Sequence, residues 1–362
     1  MPSQTVLFTG FPGFIGARLL PRLLELAPGA RFECLVQERF LGLARDQIAT
    51  IEAAHPHAKG RLGTVVGDIT APGLGLASGD AQGLTRDVVA AWHLAAVYDL
   101  AVSREVGRKV NVEGTRNVLA FLAGCRRFER LHYVSTAYVS GRASPSFRET
   151  DLDVGQSFKN HYEETKFLAE VEVKYSALPA TTYRPAIVVG DSRTGETGKF
   201  DGPYFILNAM RRLPSPGIFM KIGSGRQPAN LVPVDFIVEA LARLASSESS
   251  RGKTYHLTDP QPLSVVEVGK LLARALGKSL AFVPVPGAVA RALFAPAAVQ
   301  RFFGVPVEVL DYFEHDCRYD TTQASQDLGA LGVTCPRLPD YVGRLVAFYK
   351  ENRGDVRRSA MI

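Results

Sequence analysis

Tyr162 and Lys166 stand four residues apart in the run Tyr-Glu-Glu-Thr-Lys, which puts both side chains on one face of a helix. A free phenol, with a pKa of about 10, is a poor acid or base at neutral pH. A neighbouring ammonium, joined by a positive ring of an oxidised cofactor, would stabilise the phenolate and lower that value. Such a tyrosine can hand a proton to a carbonyl oxygen, or take one from an alcohol, while hydride moves at the carbon. Of the 12 tyrosines only Tyr162 has lysine four residues later, but a pair of this kind also arises by chance, so its surroundings must decide.

Upstream, Leu131 to Val134 reads as a buried strand that ends in Ser135 and Thr136. Parallel sheets bind ligands at the carboxyl ends of their strands, so Thr136 is expected to face the crevice and hold a substrate oxygen beside Tyr162. The same hydroxyl could instead cap a turn. Asn111, on the helix expected before this strand, could anchor a water leading to Lys166, or could be structural.

A second cluster lies at the amino end. Thr5 to Thr9 is a short apolar strand, followed by Gly10-Phe-Pro-Gly13-Phe14-Ile15-Gly16 and a leucine-rich helical stretch to Leu26. Strand, glycine turn and helix open a dinucleotide-binding unit, with glycines where backbone must approach a pyrophosphate and helix N–H groups to receive the anion. Pro21 should bend that helix. After the second strand, Gln37-Glu38-Arg39 offers both a ribose-binding acid and a 2′-phosphate-binding arginine. The expectation is NADP(H) over NAD(H), with Arg39 on the extra phosphate. Asp68, after Val65-Val66-Gly67, could accept from an adenine amino group or shape a turn.

The elements that must hold these residues alternate. Strands are expected at 32–36, 63–66, 88–94, 131–134 and 181–189, with helices over 106–122 and 162–176. This order predicts an α/β fold, a Rossmann-like doubly wound parallel sheet with a smaller, mainly helical C-terminal substrate-binding region. The expected division is 1–190 for the nucleotide-binding domain, with 229–260 returning to it. Residues 191–228, largely loop with a helix near 204–212, and 261–350, mostly helical, form the substrate region, and 351–362 a tail. The substrate region holds many phenylalanines and tyrosines, which suit an apolar pocket or ordinary core packing.

Composition narrows the function classes. The 362 residues are 46% hydrophobic and 22% charged, an ordinary globular balance. The net charge of +6 is spread along the chain without a basic stripe, so no nucleic-acid partner is expected. Four separated cysteines and no histidine at ligand spacing predict no disulfide framework and no metal. With a strand starting at Thr5 and no long apolar run, a reduced, cytoplasmic protein is expected, as monomer or homodimer. The proline-punctuated stretch 283–303 leaves peripheral membrane contact as an option.

Together the motifs resemble an extended short-chain dehydrogenase/reductase. Thr9-Gly-Phe-Pro-Gly-Phe-Ile-Gly16, Gly67-Asp68-Ile69, His93-Leu94-Ala95-Ala96, Asn111-Val-Glu-Gly, Ser135-Thr136, Tyr162-x-x-x-Lys166 and Arg184-Pro185 occur in that order. The resemblance implies Thr136, Tyr162 and Lys166 as catalytic triad and Asn111 as a fourth member. It implies Asp68 and Ile69 at the adenine, Leu94, Ala95 and Ala96 along the pyrophosphate and ribose, and Pro185 and Val188 flanking the nicotinamide. Val134-Ser-Thr-Ala-Tyr-Val-Ser-Gly141 and Val189-Gly-Asp-Ser-Arg-Thr-Gly195 are most similar to the thioester-reductase and fatty acyl-CoA reductase branch, the male-sterility type. That branch implies a reductase of a lipophilic carbonyl compound, a fatty acyl thioester or fatty aldehyde. A 3-hydroxy-acid or hydroxysteroid dehydrogenase would use the same residues, and a non-catalytic NAD(P)-sensing protein is the reading from another class.

Overall fold

Strands with branched and aromatic side chains on both faces need cover on both sides, and this chain supplies it by winding helices alternately over one sheet. The computed structural model describes residues 4–354. Its first half runs β1 (Gln4–Thr9), α1 (Phe14–Leu26), β2 (Ala30–Val36), α2 (Leu41–Ala54), β3 (Leu62–Val66), α3 (Ser78–Asp87), β4 (Val88–His93), α4 (Arg104–Gly107), a π-helical turn Arg108–Glu113, α5 (Gly114–Ala123) and β5 (Arg130–Val134). Then follow β6 (Ser146–Phe147), α6 (His161–Tyr175), β7 (Ala180–Pro185), β8 (Ile187–Val189), α7 (Pro203–Arg212), β9 (Gly217–Ile222), β10 (Leu231–Pro233), α8 (Val234–Ala245) and β11 (Thr254–Leu257). The last part is α9 (Val265–Leu276), β12 (Leu280–Val285), α10 (Gly287–Phe294), α11 (Ala297–Phe303), a 3-10 stretch Val307–Glu314, β13 (Arg318–Tyr319), α12 (Thr322–Ala330) and α13 (Leu338–Asn352).

Seven strands form one parallel sheet in the order β3-β2-β1-β4-β5-β7-β11. Alternation along β1 shows why both faces are apolar. Val6 and Phe8 join the core beneath α1 and α8, while Leu7 points to the opposite core beneath α5 and α6. Each such buried side chain contributes about 1.5–3 kcal/mol relative to exposure. Chain order reverses between β1 and β4, so a crevice opens at their carboxyl ends, where ligands bind in doubly wound sheets.

The structure corrects several expected elements. The stretch 181–189 is two strands: β7 belongs to the main sheet, whereas β8 leaves it after Ala186 and pairs with β10. Of the segment expected to return to the sheet, only β11 does so. The helix expected over 106–122 carries the π turn in its middle. The loop expected after 212 contains β9, and the helical stretch expected from 283 begins as β12, paired with β9 in a small parallel sheet. Helix α1 runs through Pro21 as one element, although that proline has no N–H to return to Ala17. The tail expected from 351 starts two residues later than Glu351, since Glu351 and Asn352 complete α13, and residues 355–362 lie outside the described range. Among the described residues no helix is long and apolar enough to cross a membrane.

Candidate active site

The crevice is built from backbone first. Gly10 ends β1 with φ of +91°, a region that costs a residue with a Cβ. A Cβ there would lie 2.8 Å from the Leu94 carbonyl carbon and the Ala95 nitrogen, so the two loops of the crevice touch at this glycine. Cβ atoms at Gly13 and Gly16 would meet the Gly10 carbonyl oxygen at 2.7 and 2.8 Å. Gly13 starts α1 without any side-chain cap, and no acidic residue stands in the first turn. The amides of Phe14, Ile15 and Gly16 are therefore open donors at the positive end of the helix dipole, which fits a pyrophosphate.

Thr9 and His93 lock this frame. The Thr9 hydroxyl meets His93 Nδ1 at 2.7 Å and accepts from the Ala95 amide at 3.2 Å, while His93 Nε2 meets the Thr115 hydroxyl at 3.0 Å. Burial pushes the His93 pKa down to about 3, so the ring is a neutral strut. Just past β3, Asp68 accepts from Gln37 Nε2 at 3.0 Å and from the Thr70 amide at 2.8 Å. It thus shapes a turn while remaining at the end of β3. The Ile69 carbonyl accepts from Asn117, and its side chain is buried. Arg39 is exposed on the turn after β2, where its Nε donates to Gln37 Oε1 at 2.9 Å.

Thr136, Tyr162 and Lys166 come together at β5 and α6. Asn160 caps α6 by accepting from the Glu163 amide at 3.0 Å, and this fixes the helix phase that turns Tyr162 and Lys166 inward. Both are buried, at 8% and 3% exposure. Thr136 lies near enough to the Tyr162 phenol to offset part of the rise that burial gives its pKa. Thr136 also caps the turn after β5, accepting from the Tyr138 amide at 3.3 Å and donating to the Pro185 carbonyl at 3.4 Å. The turn-capping role expected of that hydroxyl is thus present. Val188 is half-buried on β8, three residues past the end of β7.

Lys166 does not by itself make the phenol acidic. Its ammonium donates to the Val134 carbonyl at 3.0 Å and the Tyr133 hydroxyl at 3.2 Å, and lies 4.8 Å from the Tyr133 ring centre. Burial pushes the Tyr162 pKa above its ordinary value, only partly offset by Thr136. The phenol is thus held protonated, the form that can donate. Burial also pushes Lys166 down to about 8.

Asn111 sits in the π turn, and its amide is fully engaged. Oδ1 accepts from the Val97 amide at 2.9 Å, and Nδ2 donates to the Thr165 hydroxyl at 3.0 Å. It ties the loop after β4 to α6 at a position one residue from Lys166. That loop delivers Tyr98, whose ring meets the Tyr162 ring edge-to-face at 5.1 Å. Tyr133, Thr165 and Tyr98 were not evident as site residues, because their roles depend on partners from other elements. The same holds for Lys159 and Glu163, an almost wholly buried ion pair at 3.2 Å beside Tyr162. Their i, i+4 spacing is the one local signal of that pair in the sequence.

Among the described residues no group of His, Cys, Asp or Glu is arranged to hold a metal. All four cysteines are unpaired. What the site offers is a glycine turn with open amides, the buried hydroxyls of Thr136 and Tyr162, and a buried lysine held by Tyr133 and Val134.

A parallel sheet with this crevice and this Thr, Tyr and Lys set defines an NAD(P)-dependent oxidoreductase of the extended short-chain dehydrogenase/reductase class. Residues 8–241 match the family model described as male sterility protein, and the chain belongs to that family, on its thioester-reductase branch. Over 273 residues it is 30% identical to an isonitrile lipopeptide synthase of Streptomyces coeruleorubidus, covering 72% of this chain and 18% of that protein. It is 26% identical to fatty acyl-CoA reductase wat of Drosophila melanogaster, covering 66% of this chain and 53% of that one. The chain therefore spans from a small part to about half of the curated relatives it matches. Among solved structures, the terminal R domain of the myxalamid PKS-NRPS biosynthetic pathway superposes with a TM-score of 0.81 at 28% identity, covering 99% of this chain and 92% of that one. The reductase domain of a nonribosomal peptide synthetase from Mycobacterium tuberculosis shares the fold at a TM-score of 0.73 and 23% identity, with 96% and 91% covered.

Proposed function

We propose that this protein reduces a lipophilic acyl thioester and releases the acyl group as an aldehyde, with NADP(H) preferred. The observation that carries the reading is the Thr136–Tyr162 hydroxyl pair, buried at the carboxyl end of β5 with its phenol held protonated. A protonated acid is what a carbonyl oxygen requires as it gains negative charge. When bound, the reduced nicotinamide supplies the hydride that goes to the carbonyl carbon. Thr136 and Tyr162 hold the carbonyl oxygen between two hydroxyls. Tyr162 then gives its proton to that oxygen, which leaves a hemithioacetal. Breaking of its carbon–sulfur bond, with the hydroxyl proton passing to sulfur, yields aldehyde and free thiol. Lys166, one helical turn on from Tyr162 and fixed by Tyr133 and Val134, stabilises the phenolate that remains. The amides of Phe14, Ile15 and Gly16 would hold the pyrophosphate and exposed Arg39 the 2′-phosphate. The names of the similar proteins support the substrate class, since they include a fatty acyl-CoA reductase and a lipopeptide synthase.

The test follows loss of NADPH absorbance with acyl-CoA substrates, with aldehyde trapped as a hydrazone. Tyr162→Phe keeps the ring and removes the proton donor. Turnover is expected to fall by at least about 100-fold, with NADPH binding retained by calorimetry; unchanged turnover refutes the assignment.

A further inference from the structure

Between α7, β9 and the 3-10 stretch 307–314 lies a cavity of about 110 Å³. Its wall is made wholly of hydrocarbon and thioether side chains, among them Phe205, Ala209, Phe219, Phe294, Val309 and Leu310. Two chain segments lead from it toward the reacting residues. Helix α7 begins at Pro203, just after Asp201, whose carboxylate pairs with Lys199 at 3.7 Å, and Lys199 Nζ lies 5.5 Å from the centre of the Tyr98 ring that packs on Tyr162. Phe205 and Ala209 on that helix then face the cavity. From the other side, Leu100 packs on the same apolar cluster, and its loop carries Tyr98 onto the Tyr162 ring.

We propose that this cavity receives the distal end of the acyl chain, so that the preferred substrate is a medium-chain thioester and Ala209 marks its depth. The proposal rests on the thioester-reductase reading above. A helix rises about 1.5 Å per residue, so the path from Gly202 to Ala209 is roughly 10 Å. An extended alkyl chain with bonds of about 1.5 Å advances roughly 1.3 Å per carbon. Chains of roughly eight to twelve carbons therefore place their last carbons in the cavity. A dry apolar cavity of about 150 Å³ is enough to admit benzene, so this one suits the last few methylenes of a chain. The side chains of the wall offer no partner to a polar end, so a hydroxyl or carboxylate is disfavoured there.

The experiment measures kcat/KM for acyl-CoA thioesters from butanoyl to hexadecanoyl, in the wild type and in Ala209→Leu, which replaces a methyl with an isobutyl group inside the cavity. The wild type is expected to peak between octanoyl and dodecanoyl, rising about fourfold per methylene seated. Ala209→Leu moves the peak to shorter chains, with NADPH affinity and cooperative melting retained. Leu310→Ala, which enlarges the space, moves it to longer ones and serves should Ala209→Leu not fold. A flat wild-type profile, or an unmoved peak in a folded variant, overturns the proposal. A second arm measures the thermal shift given by decanal with NADP+ present. Stabilisation of the wild type but not of Ala209→Leu, without reduction of any thioester, retains the cavity and refutes the thioester reading. No stabilisation of the wild type overturns the cavity assignment.

Discussion

Raising the pH should set activity and stability moving in opposite directions, and Lys166 is the reason. Its ammonium is buried against Tyr133 and Val134, and desolvation moves its pKa from 10.5 to about 8. That displacement is a bias of about 3 kcal/mol toward the neutral amine. If the positive charge stabilises the phenolate left by Tyr162, kcat/KM must fall as pH rises through about 8, reaching about a tenth of its plateau one pH unit higher. Stability follows the opposite course. Below about 8 both folded and unfolded chains carry the proton, and the folded state bears the full cost of the buried charge. Between about 8 and 10.5 the unfolded chain binds the proton while the folded chain does not, so this cost is relieved and stability rises by up to about 3 kcal/mol. The assay is kcat/KM from pH 6 to 10, paired with urea unfolding of the wild type and of Lys166→Met over the same range. The difference between the two unfolding curves isolates the lysine. A level kcat/KM up to pH 10, or a stability difference that does not change with pH, refutes the reasoning.

Arg184 is buried, with its guanidinium at 2.6 and 2.9 Å from Glu170 Oε1 and at 2.7 Å from the Asp151 carbonyl. Arg184→Met leaves Glu170 buried without a partner and should cost about 3–5 kcal/mol in urea unfolding, much of it recovered by adding Glu170→Met; equal loss in the double variant counts against the pair. Arg39→Ala should raise the Kd for NADPH about tenfold, the loss of one exposed charge-assisted contact, and leave that for NADH unchanged. Parallel calorimetric titrations decide it, and an equal effect on both cofactors removes Arg39 from the phosphate.

What the amino-acid sequence determined was the part governed by short-range rules. A strand running into Gly10, Gly13 and Gly16 and then a leucine-rich helix requires a tight turn with open amides, because steric limits on the backbone act over a few residues. The Tyr162–Lys166 spacing forces both side chains onto one helix face for the same reason. The alternation of apolar strands and helices implied a doubly wound sheet, and the sheet contains every expected strand up to Val134. Tertiary structure alone decided which groups those side chains meet. Lys166 turned to Tyr133 and Val134 on β5, and Asn111 committed its amide to Val97 and Thr165, 14 and 54 residues away. β8 chose β10 over the main sheet, and α7, β9 and the stretch after 307 left an apolar space between them. These outcomes depend on packing and pairing between distant segments, where burial removes water as a competitor for each hydrogen bond. No local pattern of residues carries that information.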